Sequence, residues 1–262
     1  MSEVAHEGKV VDTTPADAND DLHSVAPTSA HTVRLHILNM QLALPPTARF
    51  TAAASSSSSK IVLFDVMDTL VADPFFMGFE RDMFGIEGGI KNLFAVKDQA
   101  SFMAFEKGEI DEAEHFRTYF NDRRPVDGAA VLKYMRERYK WLPGMRELAT
   151  DLKAAGVPMA AFSNYPAPWA PIVEEATCLS QLVPWAFISG EKGVRKPSAE
   201  AFEAALATVG REAGEVIFVD DSQANTDAAT GLGIAAIRFE GAATLRPQLY
   251  ERLGLAMPPA KL

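Results

Sequence analysis

The 262-residue sequence holds a single cysteine, Cys178, so no intramolecular disulfide can form and no thiolate zinc cluster can be built. A reducing compartment fits that usage. Basic residues are outnumbered, 25 Lys and Arg against 35 Asp and Glu, for a net charge of -10. Surfaces for nucleic acid or anionic membrane need clustered cations, so the expected partners are small molecules and not nucleic acid or membrane. Apolar runs are short, none approaching the roughly 18 to 20 residues that cross a bilayer. No internal repeat is visible, and nothing in the sequence specifies an oligomeric state. What is present is 48% hydrophobic residues, enough for one good-sized core with a smaller satellite unit.

Residues 1–59 differ from the remainder. The first 21 hold six acidic residues and no aromatic, whereas residues 22–59 hold no Asp or Glu, two Arg and many Ser, Ala and Thr. The second half has the basic, Ser-rich, acid-poor composition of a transit peptide, which predicts a chloroplast or plastid address. The acidic start is foreign to such a signal. Initiation at Met40 accounts for it, and a disordered tail without an address is the alternative, leaving the protein cytoplasmic. Either way these residues are expected to stand outside the fold.

From Lys60 the pattern changes. IVLFDV (61–66) is a short continuous apolar run, as expected of a strand buried on both faces of a parallel sheet. Similar runs recur at VPMAAFSN (157–164), WAFISGE (185–191), VIFVDDS (216–222) and AAIRFEG (235–241). Helical stretches separate them: one with Pro143 in its first turn closed by Gly156, another opened by Ser198 and closed by Gly210. This alternation predicts an α/β fold, a Rossmann-like doubly wound parallel sheet whose ligand site lies beyond the carboxyl ends of the strands. About 90 residues divide the first strand from the second. Within them DQASFMAFEKG, IDEAEHFRTYF and GAAVLKYMRERY repeat apolar residues at three and four, which predicts a helical insertion over 72–141 capping the sheet edge. Residues 60–71 and 142–262 are then the core.

The chemistry-bearing residues fall at the predicted strand ends. Asp65 ends the first strand, Ser163 and Asn164 end the second, Lys196 follows the third, and Asp220 with Asp221 ends the fourth; parallel strands bring all of them to one edge. Adjacent aspartates after an apolar run are costly unless a cation neutralises them, and hard oxygen ligands suit Mg²⁺. The Ser163 hydroxyl and Lys196 ammonium are placed to hold a transferring phosphate. Around them, Asp68 reads as a turn residue, and Thr69 as a bond to the loop backbone or a phosphate contact. Asn225 reads as an orienter of the Asp220 loop or a helix cap. His115 reads as a partly exposed helix residue. The ten methionines are scattered and read as core filler.

In this order FDVMDTLV, AFSN, the lysine of RKP and FVDDSQAN resemble the four motifs of the haloacid dehalogenase-like hydrolases, a superfamily made mostly of phosphatases. The resemblance covers about residues 60–255. It implies that Asp65 is a nucleophile forming an aspartyl phosphate, that Ser163 and Lys196 are the motif II serine and motif III lysine, and that Asn164 and Thr69 stand beside the phosphate. Mg²⁺ would be held by Asp65, the backbone carbonyl of Met67, Asp220 and Asp221. The insertion corresponds to the family's C1 cap.

Met67 departs from the pattern, because phosphatases of this superfamily place a proton-transferring aspartate there. General acid–base catalysis contributes about 10² to 10⁴ in rate, a small share of the total for phosphate monoesters, so a weakened enzyme is expected rather than none. A silent phospholigand-binding protein is the alternative. Dehalogenation is a lesser one, since dehalogenases do not need the Asp220–Asp221 pair. At finer grain FDVMDTLVADPFF, FEKGEID, FSNYP, RKPS and FVDDSQAN resemble the plant chloroplast flavin mononucleotide hydrolases, in which Met67 would be a subfamily feature. A flavin ring needs an aromatic roof, for which Phe75, Phe76, Phe79, Phe84, Tyr165 and Trp169 are candidates.

Overall fold

The computed structural model describes Phe50 and residues 60–257. The reading of residues 1–59 as a tail or transit peptide therefore falls, Phe50 apart, outside the described residues. Five strands form one parallel sheet in the order β3-β2-β1-β4-β5. They are β1 (Ile61–Phe64), β2 (Met159–Ser163), β3 (Trp185–Ile188), β4 (Val216–Asp220) and β5 (Ala235–Arg238). Each expected strand is present but ends sooner than its apolar run, because the last residues leave the ladder to build loops at the carboxyl edge. The clearest case is WAFISGE, which turns into a short helix at Ser189.

Between β1 and β2 lie α1 (Phe79–Phe84), α2 (Ile90–Val96), α3 (Gln99–Glu106), α4 (Glu112–Thr118) and α5 (Gly128–Arg138), followed by α6 (Met145–Ala154). Three of the first five match the periodic stretches read from sequence. The others escaped because glycines at 78, 85 and 89 interrupt their apolar pattern. Side chains of Asp98, Asp111 and Asp127 each accept an amide at the first turn of α3, α4 and α5. Pro143 lies outside α6, whose N-cap is Gly144 at φ 78°, so the first-turn assignment is corrected by one left-handed residue. The remaining helices are α7 (Ala170–Thr177), α8 (Ser189–Lys192), α9 (Ala199–Val209), α10 (Gln223–Gly231) and α11 (Ala242–Leu253). Ser198 and Gly210 cap α9 as expected.

Alternation along β1, β2 and β4 divides the core in two. Val62, Phe64, Met159, Ala161, Ile217 and Val219 join one apolar cluster, which continues into Phe79, Leu93, Phe105 and Tyr119 of the helices after β1. Ile61, Leu63, Ala160, Phe162, Val216 and Phe218 belong to the other, against α9. The inserted helices thus share one face's core with the sheet. Phe50 packs on the second cluster, and its amide donates to the Trp185 carbonyl on the edge strand β3 (3.0 Å). Among the described residues no helix is long and apolar enough to cross a membrane.

Candidate active site

The loops at the carboxyl edge converge on one ammonium group. Lys196, 1% exposed, donates from Nζ to Asp65 Oδ1 (2.7 Å), Asp220 Oδ2 (2.7 Å) and the Phe162 carbonyl (2.8 Å), with the rings of Phe162 and Phe218 flanking it. Each partner sits at a strand end, so the parallel register places it. Asp65 is one residue past β1, its amide held by the Val219 carbonyl (2.8 Å), and Asp220 closes β4. Asp220 is also fixed from behind by the Ser222 amide (2.8 Å) and by Asn225 Nδ2, which reaches both carboxylate oxygens at 3.0 Å. Asn225 is thereby an orienter, and Ser222 occupies the N-cap of α10.

Two buried hydroxyls, Ser163 Oγ at the end of β2 and Thr69 Oγ1 in the loop after β1, have no hydrogen-bond partner among the described residues. For Thr69 this overturns the expected bond to the loop backbone. Orphaned buried hydroxyls are rare because each costs roughly 1–3 kcal/mol. Asn164 behaves differently: its Nδ2 donates to the Lys196 carbonyl (2.9 Å) and its Oδ1 accepts the Lys196 amide (2.8 Å), so both ends of its side chain are spent on the lysine's backbone. Asp68, in the left-handed region at φ 52°, accepts the Asp73 amide on Oδ1 (2.9 Å) and shapes the turn.

The carboxylate oxygens of Asp65, Asp220 and Asp221 can lie within 4.8 Å of one another. Hard oxygens at this spacing are a donor set that suits Mg²⁺. Burial pushes the Asp65 carboxyl up to about 8; Lys196 opposes the rise and Asp220 adds to it. Burial disfavours the Lys196 ammonium, yet Asp65 and Asp220 outweigh it and hold the lysine above its ordinary range. Two buried carboxyls facing one lysine, with Asp221 at their exposed side, form a donor set that a cation would satisfy.

Asp65, Lys196, Asp220 and Asp221 open into a cavity of about 490 Å³, much larger than a phosphate, which Met67 also lines. The inserted helices supply its other wall. Of the aromatic candidates, Phe75, Phe76, Tyr165 and Trp169 line it, whereas Phe79 is in the core and Phe84 packs against that core. Sequence reading missed Asp73, Phe94, Lys97, Phe102, Glu106 and Arg195, all of which line the cavity. Four of these, Asp73, Phe102, Glu106 and Arg195, stood inside stretches already singled out. Glu106 of FEKGEID accepts from Arg195 Nε of RKPS (2.5 Å), and the Glu106 carbonyl accepts from Ser189 Oγ (2.6 Å). In the same stretch Gly108 (φ 72°) is pressed on the sheet side, where a Cβ would lie 2.3 Å from the Gly190 carbonyl oxygen. His115 is fully buried rather than partly exposed, its ring stacked on Phe105 at 4.5 Å.

With this geometry in place the class follows: residues 59–233 match the haloacid dehalogenase-like hydrolase family model, and the chain belongs to that family. Among characterised proteins it is 38% identical over 202 residues to flavin mononucleotide hydrolase 1, a chloroplast protein of Arabidopsis thaliana, covering 77% of this chain and 80% of that one. It is 26% identical over 168 residues to the sesquiterpene phosphatase AstK of Aspergillus oryzae, covering 63% and 85%. In fold it is similar to a haloacid dehalogenase-family enzyme of Bacteroides thetaiotaomicron solved with magnesium and inorganic phosphate (TM-score 0.56, 20% identity, 71% of this chain and 98% of that one). A hydrolase of the same family from Porphyromonas gingivalis is equally similar in fold (TM-score 0.58, 16% identity, 74% and 97%).

Proposed function

We propose that the protein is a Mg²⁺-dependent phosphatase that hydrolyses a small phosphate monoester, flavin mononucleotide in the first instance, through an aspartyl phosphate on Asp65. The observation that carries this reading is the pairing of Lys196 with both Asp65 and Asp220 at the carboxyl edge of the sheet. In the first step an Asp65 carboxylate oxygen attacks phosphorus, the bond to the alcohol oxygen breaks, and the departing oxygen takes its proton from water, because Met67 carries none. Water then cleaves the acyl phosphate, restoring Asp65 and releasing phosphate. Lys196 balances charge on the phosphoryl oxygens, and the Ser163 and Thr69 hydroxyls donate to them. Asn164 acts by positioning Lys196, and Asn225 by positioning Asp220.

Asp65, the Met67 carbonyl, Asp220 and Asp221 would hold Mg²⁺. Bound there, the cation supplies positive charge that favours ionised Asp65 and offsets the phosphoryl oxygens. Residues 72–141 act as the cap that encloses the alcohol portion. The name of the Arabidopsis relative supports flavin mononucleotide, and the Aspergillus relative shows that related chains serve a different alcohol. The same Arabidopsis protein, with the composition of residues 22–59, supports a plastid location.

Binding without turnover is a second reading, favoured by Met67 lining the cavity. Phosphate release from a panel of phosphorylated metabolites with Mg²⁺, beside binding under the same conditions, separates the two. Asp65→Asn should abolish release while keeping the fold. Near-native turnover by that variant sinks the proposal.

A further inference from the structure

Lys97 is the least expected group in the cavity. It lies between α2 and α3, is 4% exposed, and lines the cavity on the side supplied by the inserted helices. It has no carboxylate within ion-pair distance and no hydrogen-bond acceptor among the described residues. Instead its Nζ sits 3.7 Å from the centre of the Phe102 ring, 4.9 Å from Tyr119 and 5.3 Å from Phe75. Ring faces attract an ammonium but leave its three N–H donors unmatched. A buried lysine is normally paired, so a cation held this way at a cavity wall calls for an acceptor from a ligand.

The surroundings narrow the acceptor. Phe75 and Phe102 line the same wall, and Phe76 and Phe94, 57% and 42% exposed, add flat apolar area within the cavity. These favour a planar ring. The charged groups felt by Lys97 from other elements are the carboxyls of Asp73 and Glu106, which would repel a second phosphate dianion, and it in turn acts on the neighbouring His115.

We propose that Lys97 is a specificity-determining residue that donates to the carbonyl or ring-nitrogen edge of a planar heteroaromatic leaving group while Asp65 and Lys196 engage its phosphate. This rests on the phosphatase reading and names the feature of flavin mononucleotide that the insertion recognises. Burial brings the Lys97 ammonium down to about 7, with Asp73 and Glu106 limiting the fall, so its charge is present below that pH and lost above it.

The test is steady-state kinetics with Mg²⁺ on wild type and Lys97→Met, using flavin mononucleotide and p-nitrophenyl phosphate. The variant puts a thioether in an aromatic cage, which suits it. Loss of one charge-assisted hydrogen bond should raise KM for flavin mononucleotide about 10- to 100-fold and leave kcat and both constants for p-nitrophenyl phosphate within about twofold. Wild-type KM for flavin mononucleotide should also rise as pH passes upward through about 7, and that rise should vanish in the variant. If wild type hydrolyses flavin mononucleotide and the variant's KM is unchanged, or if both substrates suffer alike, the inference fails and the phosphatase reading survives. If wild type releases phosphate from p-nitrophenyl phosphate and neither binds nor hydrolyses the flavin, the flavin assignment and the inference fall together. If it turns over neither, the phosphatase reading falls as well.

Discussion

Replacing His115 with leucine should make the protein relatively more resistant to acid. The imidazole is fully buried, with Phe102, Phe105, Phe116, Tyr119 and Trp169 around it. Its Nδ1 lies 3.3 Å from Ser101 Oγ, and Nε2 has no partner among the described residues. Burial first, and then the charge of Lys97, drives it down to about 3, against a weak pull upward from Ser101 and Asp98. A folded pKa below the unfolded value of about 6.5 means that the unfolded chain binds the extra proton, so stability is complete above pH 6.5 and drains as pH falls toward the folded value. Each pH unit in that window removes up to about 1.4 kcal/mol, so at pH 5 the loss is about 2 kcal/mol. Asp65, Asp73 and Glu106, whose pKa values are raised, slope the opposite way. The comparison must therefore be a difference between wild type and variant, in which shared groups cancel. Urea unfolding at pH 7.5 and pH 5.0 should show the gap moving by about 2 kcal/mol in favour of the His115→Leu variant on the acid side. A gap constant to within about 0.5 kcal/mol would refute the claim that the ring is kept neutral by its surroundings.

Gly108→Ala should lower stability by about 2–4 kcal/mol, from a left-handed backbone and a clash with a carbonyl that cannot step aside, seen as a Tm drop of roughly 5–15 °C. An unchanged Tm would mean that the Gly108–Gly190 contact yields easily. Met67→Asp should raise kcat about 10²- to 10⁴-fold on alkyl phosphates and much less on aryl phosphates, whose leaving groups need no proton. Equal changes on both would show that residue 67 stands away from the departing oxygen.

The sheet was legible because β1 to β4 are buried on both faces, so IVLF and VIFVD are written as unbroken apolar runs. The site was legible for a related reason: a carboxylate directly after such a run has no cheap explanation. What stayed hidden depends on contacts between distant residues. Asn164 and Asn225 look alike in sequence as polar residues near strand ends, and only the fold shows that one holds a backbone and the other a carboxylate. Lys97 carries no local signal, since a lysine between two helices is ordinarily solvated and its aromatic neighbours come from positions 75, 102 and 119. His115 was misplaced because α4, read alone, has a polar majority; its burial is imposed by α3 and Trp169.

Arg195 and Lys196 are consecutive, yet they answer to opposite walls of the cavity: the first is tied to Glu106 of the insertion, the second to Asp65 and Asp220 at the strand ends. A single peptide unit thus links how the roof sits to where the phosphate's counter-charge stands. Damage to the Glu106 tie should spread into the chemical step itself, so defects in the roof will not all register as weaker substrate capture.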